Sequence, residues 1–289
     1  MKPPALILHA TGTNRDHEAA QAVELAGGQP EIVHLNQLRS GERRWSDYQI
    51  LVLPGGFSYA DALGAGRLLA LDLNAYFSDE VGAFVEAGKP VIGICNGFQA
   101  LVKAGILPSS PTLLPGGEGR IAPSSPPPSP KGRGRRSEAA FRGEGKGVTL
   151  TFNARGHFEC RWITLKPVSQ ECIWTQGLSE LIYCPIAHGE GNFQLADETR
   201  LADLAALDQI ALVYTLPDGS PAGGAYPHNP NGSIADIAGI CNPQGNVLGL
   251  MPHPEDHLFA WQHPHRSRGA RGQTGLVLFE NGVKYAHEI

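Results

Sequence analysis

Three four-residue runs, Ala5-Leu6-Ile7-Leu8, Ile50-Leu51-Val52-Leu53 and Val91-Ile92-Gly93-Ile94, carry no polar side chain at odd or even positions. A strand sends alternate side chains to opposite faces, so a run apolar at both parities has to be covered on both sides. Segments of helical spacing lie between the runs. Ala19, Ala22, Val23 and Ala26 follow i, i+3, i+4, i+7, with Asp16 as the expected N-cap and Gly27-Gly28 as the stop. Glu31–Leu35 reads as a further strand. Val81, Phe84 and Val85 mark one face of a second helix, closed by Gly88, and a third is expected over Asn96–Ala104. Strands alternating with helices define an α/β fold: a doubly wound, mostly parallel sheet with helices on both faces.

The alternation breaks at Gly116–Gly147. These 32 residues hold 8 Gly, 5 Pro and 4 Ser, with 7 basic against 3 acidic side chains, a local charge of +4. So little apolar surface cannot offset the entropy of ordering, and the stretch, about 116–147, reads as a disordered surface insertion in a single domain spanning 1–289. Its basic character would also suit an arm for RNA or an acidic partner, although loop expansion alone costs little. Beyond it, Val148–Phe152, Arg161–Leu165, Ile210–Tyr214 and Val247–Leu250 read as strands separated by turn signals such as Pro217-Asp218-Gly219 and Asn231-Gly232.

With 289 residues, 42% of them hydrophobic, the chain can bury a sizeable core. No run approaches the roughly 18 apolar residues of a membrane span. The first residues hold an apolar run of about five, short for a secretory segment, so a cytoplasmic protein is expected. Lys+Arg 23 against Asp+Glu 28 gives a net charge of −5, which argues against a dedicated nucleic-acid binder. The 5 cysteines stand far apart, without CxxC or Cys/His spacing, so neither zinc nor any other metal is expected. Cys160, Cys172, Cys184 and Cys241 read as packing thiols. GxGxxG and GxxxxGK[ST] are absent, which leaves no dinucleotide or Walker-type ATP site.

Cys95 differs from the other four. Gly93-Ile94-Cys95-Asn96-Gly97 lies at a strand-to-helix junction, the pattern of a nucleophile elbow. Its glycines allow a turn too tight for a Cβ on either side. A thiol at a helix N-terminus is biased toward the thiolate, and the N–H of Asn96 could donate to an oxyanion. The same run would suit a small buried thiol at a tight crossover. Pro252-His253-Pro254-Glu255 follows another strand. On an extended segment the side chains of His253 and Glu255 point the same way, so the carboxylate could orient the imidazole as general base, although a rigid surface turn would read alike. Pro54-Gly55-Gly56-Phe57-Ser58 ends the Ile50–Leu53 strand. Its glycines permit close backbone approach to a ligand, with the Gly56 N–H as second oxyanion donor and Gly55 and Phe57 as substrate contacts, unless it is only a strand-ending turn.

These residues resemble a class I, triad-type glutamine amidotransferase. More narrowly, the chain is similar to the glutaminase subunits of phosphoribosylformylglycinamidine synthases of purine biosynthesis. The resemblance rests on Gly12–Asn14 (GTN), Pro54–Arg67 (PGGFSYADALGAGR), Gly93–Gln99 (GICNGFQ), Pro185–Phe193 (PIAHGEGNF) and Asn229–Glu255, which ends in MPHPE. It implies a flavodoxin-like α/β fold and a reaction in which Cys95 attacks the side-chain amide of L-glutamine. His253, oriented by Glu255, would activate the thiol and protonate the departing ammonia, while Gly56 and Asn96 stabilise the oxyanion. Gln99 would help hold the substrate, and His188 would serve the pocket or a partner interface, if it is not a structural histidine. The resemblance implies no cofactor in this chain. ATP and magnesium would belong to a large synthetase subunit that receives the ammonia, and a small third subunit would bridge the two.

Arg15 stands where the family often has Cys, and the polar, basic run His263–Gly269 follows the triad segment without an assignable role. A stand-alone Cys hydrolase of the same superfamily and a non-catalytic regulatory subunit are the alternatives. The late His-x-Glu argues against the first, and the retained Cys95, His253 and Glu255 against the second. Because the insertion lacks core-forming residues, deletion of Gly119–Gly145 is expected to preserve glutamine-dependent amidine synthesis; loss of that activity in a folded variant would contradict the reading.

Overall fold

The computed structural model describes residues 1–108, 147–196, 199–268 and 272–289. The insertion read at about 116–147 therefore lies outside the described residues, apart from Gly147, and so does Gly269. The elements in chain order are β1 (Pro4–His9), α1 (Asp16–Leu25), β2 (Gln29–His34), α2 (Leu35–Arg39), β3 (Ile50–Leu53), α3 (Arg67–Tyr76), α4 (Ser78–Glu86), β4 (Val91–Ile94) and α5 (Asn96–Lys103). They continue with β5 (Val148–Thr151), β6 (Glu159–Pro167), β7 (Ile182–His188), β8 (Asn192–Leu195), α6 (Thr199–Ala206), β9 (Ile210–Thr215), β10 (Ile237–Cys241), β11 (Val247–Leu250) and α7 (Leu276–Glu288).

Among the described residues, nine strands form one sheet in the order β2-β1-β3-β4-β11-β10-β9-β6-β7, and β5 and β8 form a separate pair. The first five run parallel, each register pairing neighbours of the apolar runs, such as Leu51 with Val91 and Leu250 with Ile94. From β11 onward the strands alternate in direction, because β10, β9, β6 and β7 are all joined antiparallel. The order 2-1-3-4 followed by a fifth parallel strand is that of flavodoxin-like folds. Right-handed crossovers place α1 and the β3-to-β4 helices α3 and α4 on opposite faces, since β1 leads outward to β2 while β3 leads the other way to β4. The alternation in the sequence thus describes the parallel half, and the β-rich tail supplies the antiparallel extension.

Covering both faces buries the runs completely: Leu6, Ile7, Leu51, Val52, Val91 and Ile92 show no solvent exposure. At about 25 cal/mol per Å² of apolar area, each such side chain contributes about 1.5–3 kcal/mol against an exposed reference. Three local expectations are corrected. Asp16 is the first residue of α1 rather than its cap; Arg15 occupies the cap position, and the Asp16 carboxylate is bonded to His9 Nδ1 at 2.7 Å. The second strand starts at Gln29 and ends at His34, because Leu35 opens α2, where the His34 side chain accepts from Asn36 N. Cys160 is exposed on β6, whereas Cys172, Cys184 and Cys241 are buried as expected.

The antiparallel half also turns back over the crest of the parallel half. Although β7 is the far edge of the sheet, Pro185 O accepts from His253 N at 2.8 Å, just beyond the end of β11. No helix among the described residues is long and apolar enough to cross a membrane.

Candidate active site

Strands β3, β4 and β11 are neighbours and parallel, so their carboxyl ends lie on one edge of the sheet. The segments following them are Pro54–Ser58, Cys95–Gly97 and Met251–Glu255. Three stretches distant in sequence therefore meet at the crest, where open parallel sheets bind ligands.

The elbow is as tight as its glycines implied. Cys95 sits at φ 50°, ψ −104°, a conformation that costs of order 1–3 kcal/mol for a residue with a Cβ and is held by its surroundings. A Cβ on Gly97 would lie 2.0 Å from Leu53 O, and one on Gly93 would lie 2.5 Å from Leu101 Cδ1 and 2.9 Å from Gly97 O. Asn96 is the first residue of α5, so its N–H has no acceptor within the helix. Cys95 is 5% exposed, and its thiol donates to Ala187 O at 3.8 Å, so β7 closes the cleft above the crest.

His253 and Glu255 are both buried, and Nδ1 of the imidazole lies 2.6 Å from Glu255 Oε1. The segment is not extended. Pro254–Asp256 forms a single 3₁₀ turn, and that turn brings the two side chains together. With Nδ1 engaged, Nε2 is the free nitrogen. Its ring interacts with the Cys95 side chain, yet Nε2 makes no hydrogen bond within ordinary limits. Burial opposes the imidazolium, but the Glu255 carboxylate and the Cys95 side chain together outweigh it and hold His253 well above the usual histidine range. Gly55 leaves room for this ring, since a Cβ there would stand 2.6 Å from His253 Cε1. Gly56 (φ 138°) packs against the GTN segment, where its Cβ would meet Asn14 N at 2.7 Å, and Phe57 N donates to Gly12 O at 3.0 Å.

The remaining predicted contacts are distributed differently. Phe57 is exposed and stacked on Phe158, ring centroids 6.4 Å apart. The Gln99 amide is spent on the protein: Nε2 donates to Glu190 O at 2.7 Å, and Oε1 accepts from Asn96 Nδ2 at 3.3 Å. The amide thereby ties α5 to the AHGEG segment. His188 is buried with Nδ1 3.1 Å from Asn153 Oδ1, and burial, followed by the charge of His253, lowers it to about 3, so it is neutral. Asn153 Oδ1 also accepts from Gly191 N, and Asn231 Nδ2 donates to Gly191 O and Tyr214 Oη, so the AHGEG and NPNGS motifs buttress one another.

Arg15 lies at the rim, with Nε 3.6 Å from Asp256 Oδ2 and Nη1 3.1 Å from Glu18 Oε1. Burial and the Glu255 carboxylate push Asp256 up to about 6. His253, Glu255 and Asp256 offer ligand atoms within 4.8 Å of one another. The imidazole's Nδ1 is already committed to Glu255 at 2.6 Å, and the Asp256 carboxylate faces Arg15. In the basic run, His263 stacks on Tyr183 at 4.2 Å and His257 Nδ1 bonds Tyr183 O, which anchors this loop to β7. Sequence reasoning missed Ser58, Asp61 and Glu190, whose side chains bind the loops around α5; their presence within PGGFSYAD and AHGEG was the available signal.

A buried thiol at a strained elbow, a carboxylate-oriented imidazole and a glycine-lined strand end form the constellation of a cysteine amidotransferase. The chain belongs to the family of CobB/CobQ-like glutamine amidotransferase domains, which it matches over residues 2–286. A phosphoribosylformylglycinamidine synthase subunit PurQ of Treponema denticola is 53% identical over 288 residues, 99% of both chains. One from Dehalococcoides mccartyi is 39% identical over 100% of this chain and 99% of its own. Among solved structures, PurLQS from Thermotoga maritima aligns at a TM-score of 0.67 with 28% identity, covering 99% of each chain. A glutamine amidotransferase from the same organism, 12% identical with a TM-score of 0.51 and full coverage of both chains, shares the fold.

Gly97→Ala is expected to cost about 3 kcal/mol or more in urea unfolding, because the clash is with backbone. Gly82→Ala, where no atom lies within 4 Å of the added methyl in α4, should instead stabilise by about 0.5–1 kcal/mol. Glu255→Gln leaves a buried imidazolium unpaired and should cost about 3 kcal/mol near neutrality. Since the folded imidazole is raised above its ordinary value of about 6.5, its stabilisation is complete below that pH and is lost as pH rises through the folded value. The gap in unfolding midpoint between wild type and Glu255→Gln should therefore narrow in alkaline buffer; a gap independent of pH would refute the ion pair.

Proposed function

We infer that the chain is the glutaminase subunit of phosphoribosylformylglycinamidine synthase, releasing ammonia from glutamine for an ATP-dependent synthetase subunit. The observation that carries the reaction is His253, tied to Glu255 and facing Cys95 across adjacent strand ends. The full-length likeness to PurQ subunits supports the substrate and the pathway.

In the proposed reaction the proton of Cys95 rests on His253, held as the imidazolium by Glu255, and the thiolate attacks the side-chain carbonyl of glutamine. Negative charge moves to the carbonyl oxygen, and the N–H groups of Gly56 and Asn96 donate hydrogen bonds to this oxyanion. The imidazolium, stabilised by Glu255, returns its proton to the departing nitrogen, and ammonia leaves as the C–N bond breaks. Water activated by the same imidazole then cleaves the γ-glutamyl thioester, giving glutamate and the free thiol. A thioester suits this task because it forms from a good nucleophile and hydrolyses readily.

The partners follow from the same reading: a large synthetase subunit that binds ATP, magnesium and the ribonucleotide acceptor, and a small bridging subunit, as the composition of PurLQS suggests. This chain contributes no cofactor of its own, and the complex works in the cytoplasm. With both partners present, Cys95→Ala should lower glutamine-dependent amidine formation at least about a thousandfold while synthesis from ammonium salts persists. Undiminished ammonia release from glutamine in that variant would reject the assignment.

A further inference from the structure

Asn96 supplies more than a backbone N–H. Its side chain is buried where the elbow helix meets the loop after β3. Oδ1 accepts from Ser58 Oγ at 2.5 Å and from Ser58 N at 3.3 Å. Nδ2 donates to Asp61 Oδ1 at 3.0 Å and to Gln99 Oε1 at 3.3 Å. The carboxamide therefore joins the elbow helix to the loop that follows Gly56, using both its donor and its acceptor.

That loop is not relaxed. Tyr59, Ala60 and Asp61 have φ of 55°, 54° and 51°, three successive left-handed residues with side chains. Such a run persists only where surrounding contacts hold it. Asp61 Oδ1 also accepts from Gly66 N at 3.4 Å, and Ala65 N donates to Glu190 Oε2 at 3.4 Å. Lys103 Nζ bonds Ala65 O and stands 4.0 Å from Glu190 Oε2. Asn96 and Lys103 lie at i and i+7, so one face of α5 grips the loop, and Asn96 is the grip nearest Gly56.

We propose that the Asn96 carboxamide is a positioning residue that sets the spacing of the two oxyanion donors, by locking the strained Ser58–Asp61 turn to the first turn of the elbow helix. The inference rests on the glutaminase reading. Its physical content is that the donors at Gly56 and Asn96 belong to different segments, and the side chain of one is the direct strap between them. Loss of the strap lets the turn relax, and one donor drifts from the place where the oxyanion forms. That weakens transition-state binding while leaving the thiol and the ground-state pocket in place.

The test uses the chain in its complex with the synthetase and bridging subunits, measuring kcat and KM for glutamine together with the rate at which iodoacetamide alkylates Cys95. Asn96→Ala should lower kcat about a hundredfold, the range for one oxyanion donor, with KM within about threefold and alkylation near the wild-type rate. N96D sets a carboxylate against Asp61 and should be as poor. The double substitution N96D/D61N returns an acceptor at 96 and a donor at 61, and should recover at least about tenfold over N96D. Ser58→Ala, which removes one bond at small structural risk, should lower kcat about tenfold. An Asn96→Ala enzyme with kcat within threefold of wild type overturns the proposal. So does a folded N96D/D61N no better than N96D, or a parallel loss of alkylation and turnover in Ser58→Ala. Absence of turnover in the wild-type complex would instead remove the glutaminase reading itself, and the two failures are thereby separated.

Discussion

The site depends on a close approach between two backbones. Gly97 of the elbow helix lies so near Leu53, the last residue of β3, that a single added carbon would overlap the carbonyl oxygen. That approach forces the chain to turn within one residue after β4 and holds Cys95 in a left-handed conformation no isolated peptide would favour. It also brings the N-terminus of α5 beside the glycine loop after β3. Cys95, the proposed nucleophile, and the donors proposed for its oxyanion are thus held by the same packing, so they share a rigid frame instead of meeting by chance.

The antiparallel half of the sheet completes that frame. In a plain doubly wound fold the crest is open, and loops alone shape the ligand site. Here β7 returns across it: Pro185 O holds His253 N, and Ala187 O faces the Cys95 thiol. The AHGEG segment ending β7 is braced by Asn153 and Asn231, and by Gln99 from below. Burial of Cys95, His253 and Glu255 follows from this cover, and burial gives the electrostatics their effect. In a site with little water the Glu255 carboxylate and the Cys95 side chain together outweigh the desolvation of the imidazolium.

Much of this was legible in the residues. The runs apolar at both parities required a sheet covered on two faces, and Gly93–Gly97 at a strand-to-helix junction read as an elbow, with a small buried thiol at a tight crossover as the alternative. Side chains two apart in PHPE were expected to meet. They do, although through a 3₁₀ turn and not an extended segment, because Pro254 opens a tight turn as readily as it stiffens a strand. Gln99 and His188 were harder. Both stand in motifs that touch the site, and a sequence does not say whether a polar side chain is spent on substrate or on the protein. The partners Glu190 O, for Gln99, and Asn153 Oδ1, for His188 Nδ1, come from segments far along the chain. The strand β10 and the terminal helix α7 went unread for a similar reason: an apolar stretch of mixed spacing acquires its state from what it packs against.

Local pattern, by itself, determined which segments become strands, where the tight turns must fall, and which thiol, imidazole and carboxylate could do chemistry. Periodicity and steric exclusion act between near neighbours, so the order of residues is enough to express them. Tertiary structure alone decided that the far edge of the sheet would cross the crest and cover Cys95. It also decided that Asn96 would bind Ser58 and Asp61, residues 38 and 35 positions away. Those outcomes depend on the twist and closure of the whole sheet, a property of many strands packed together that no single stretch of sequence carries.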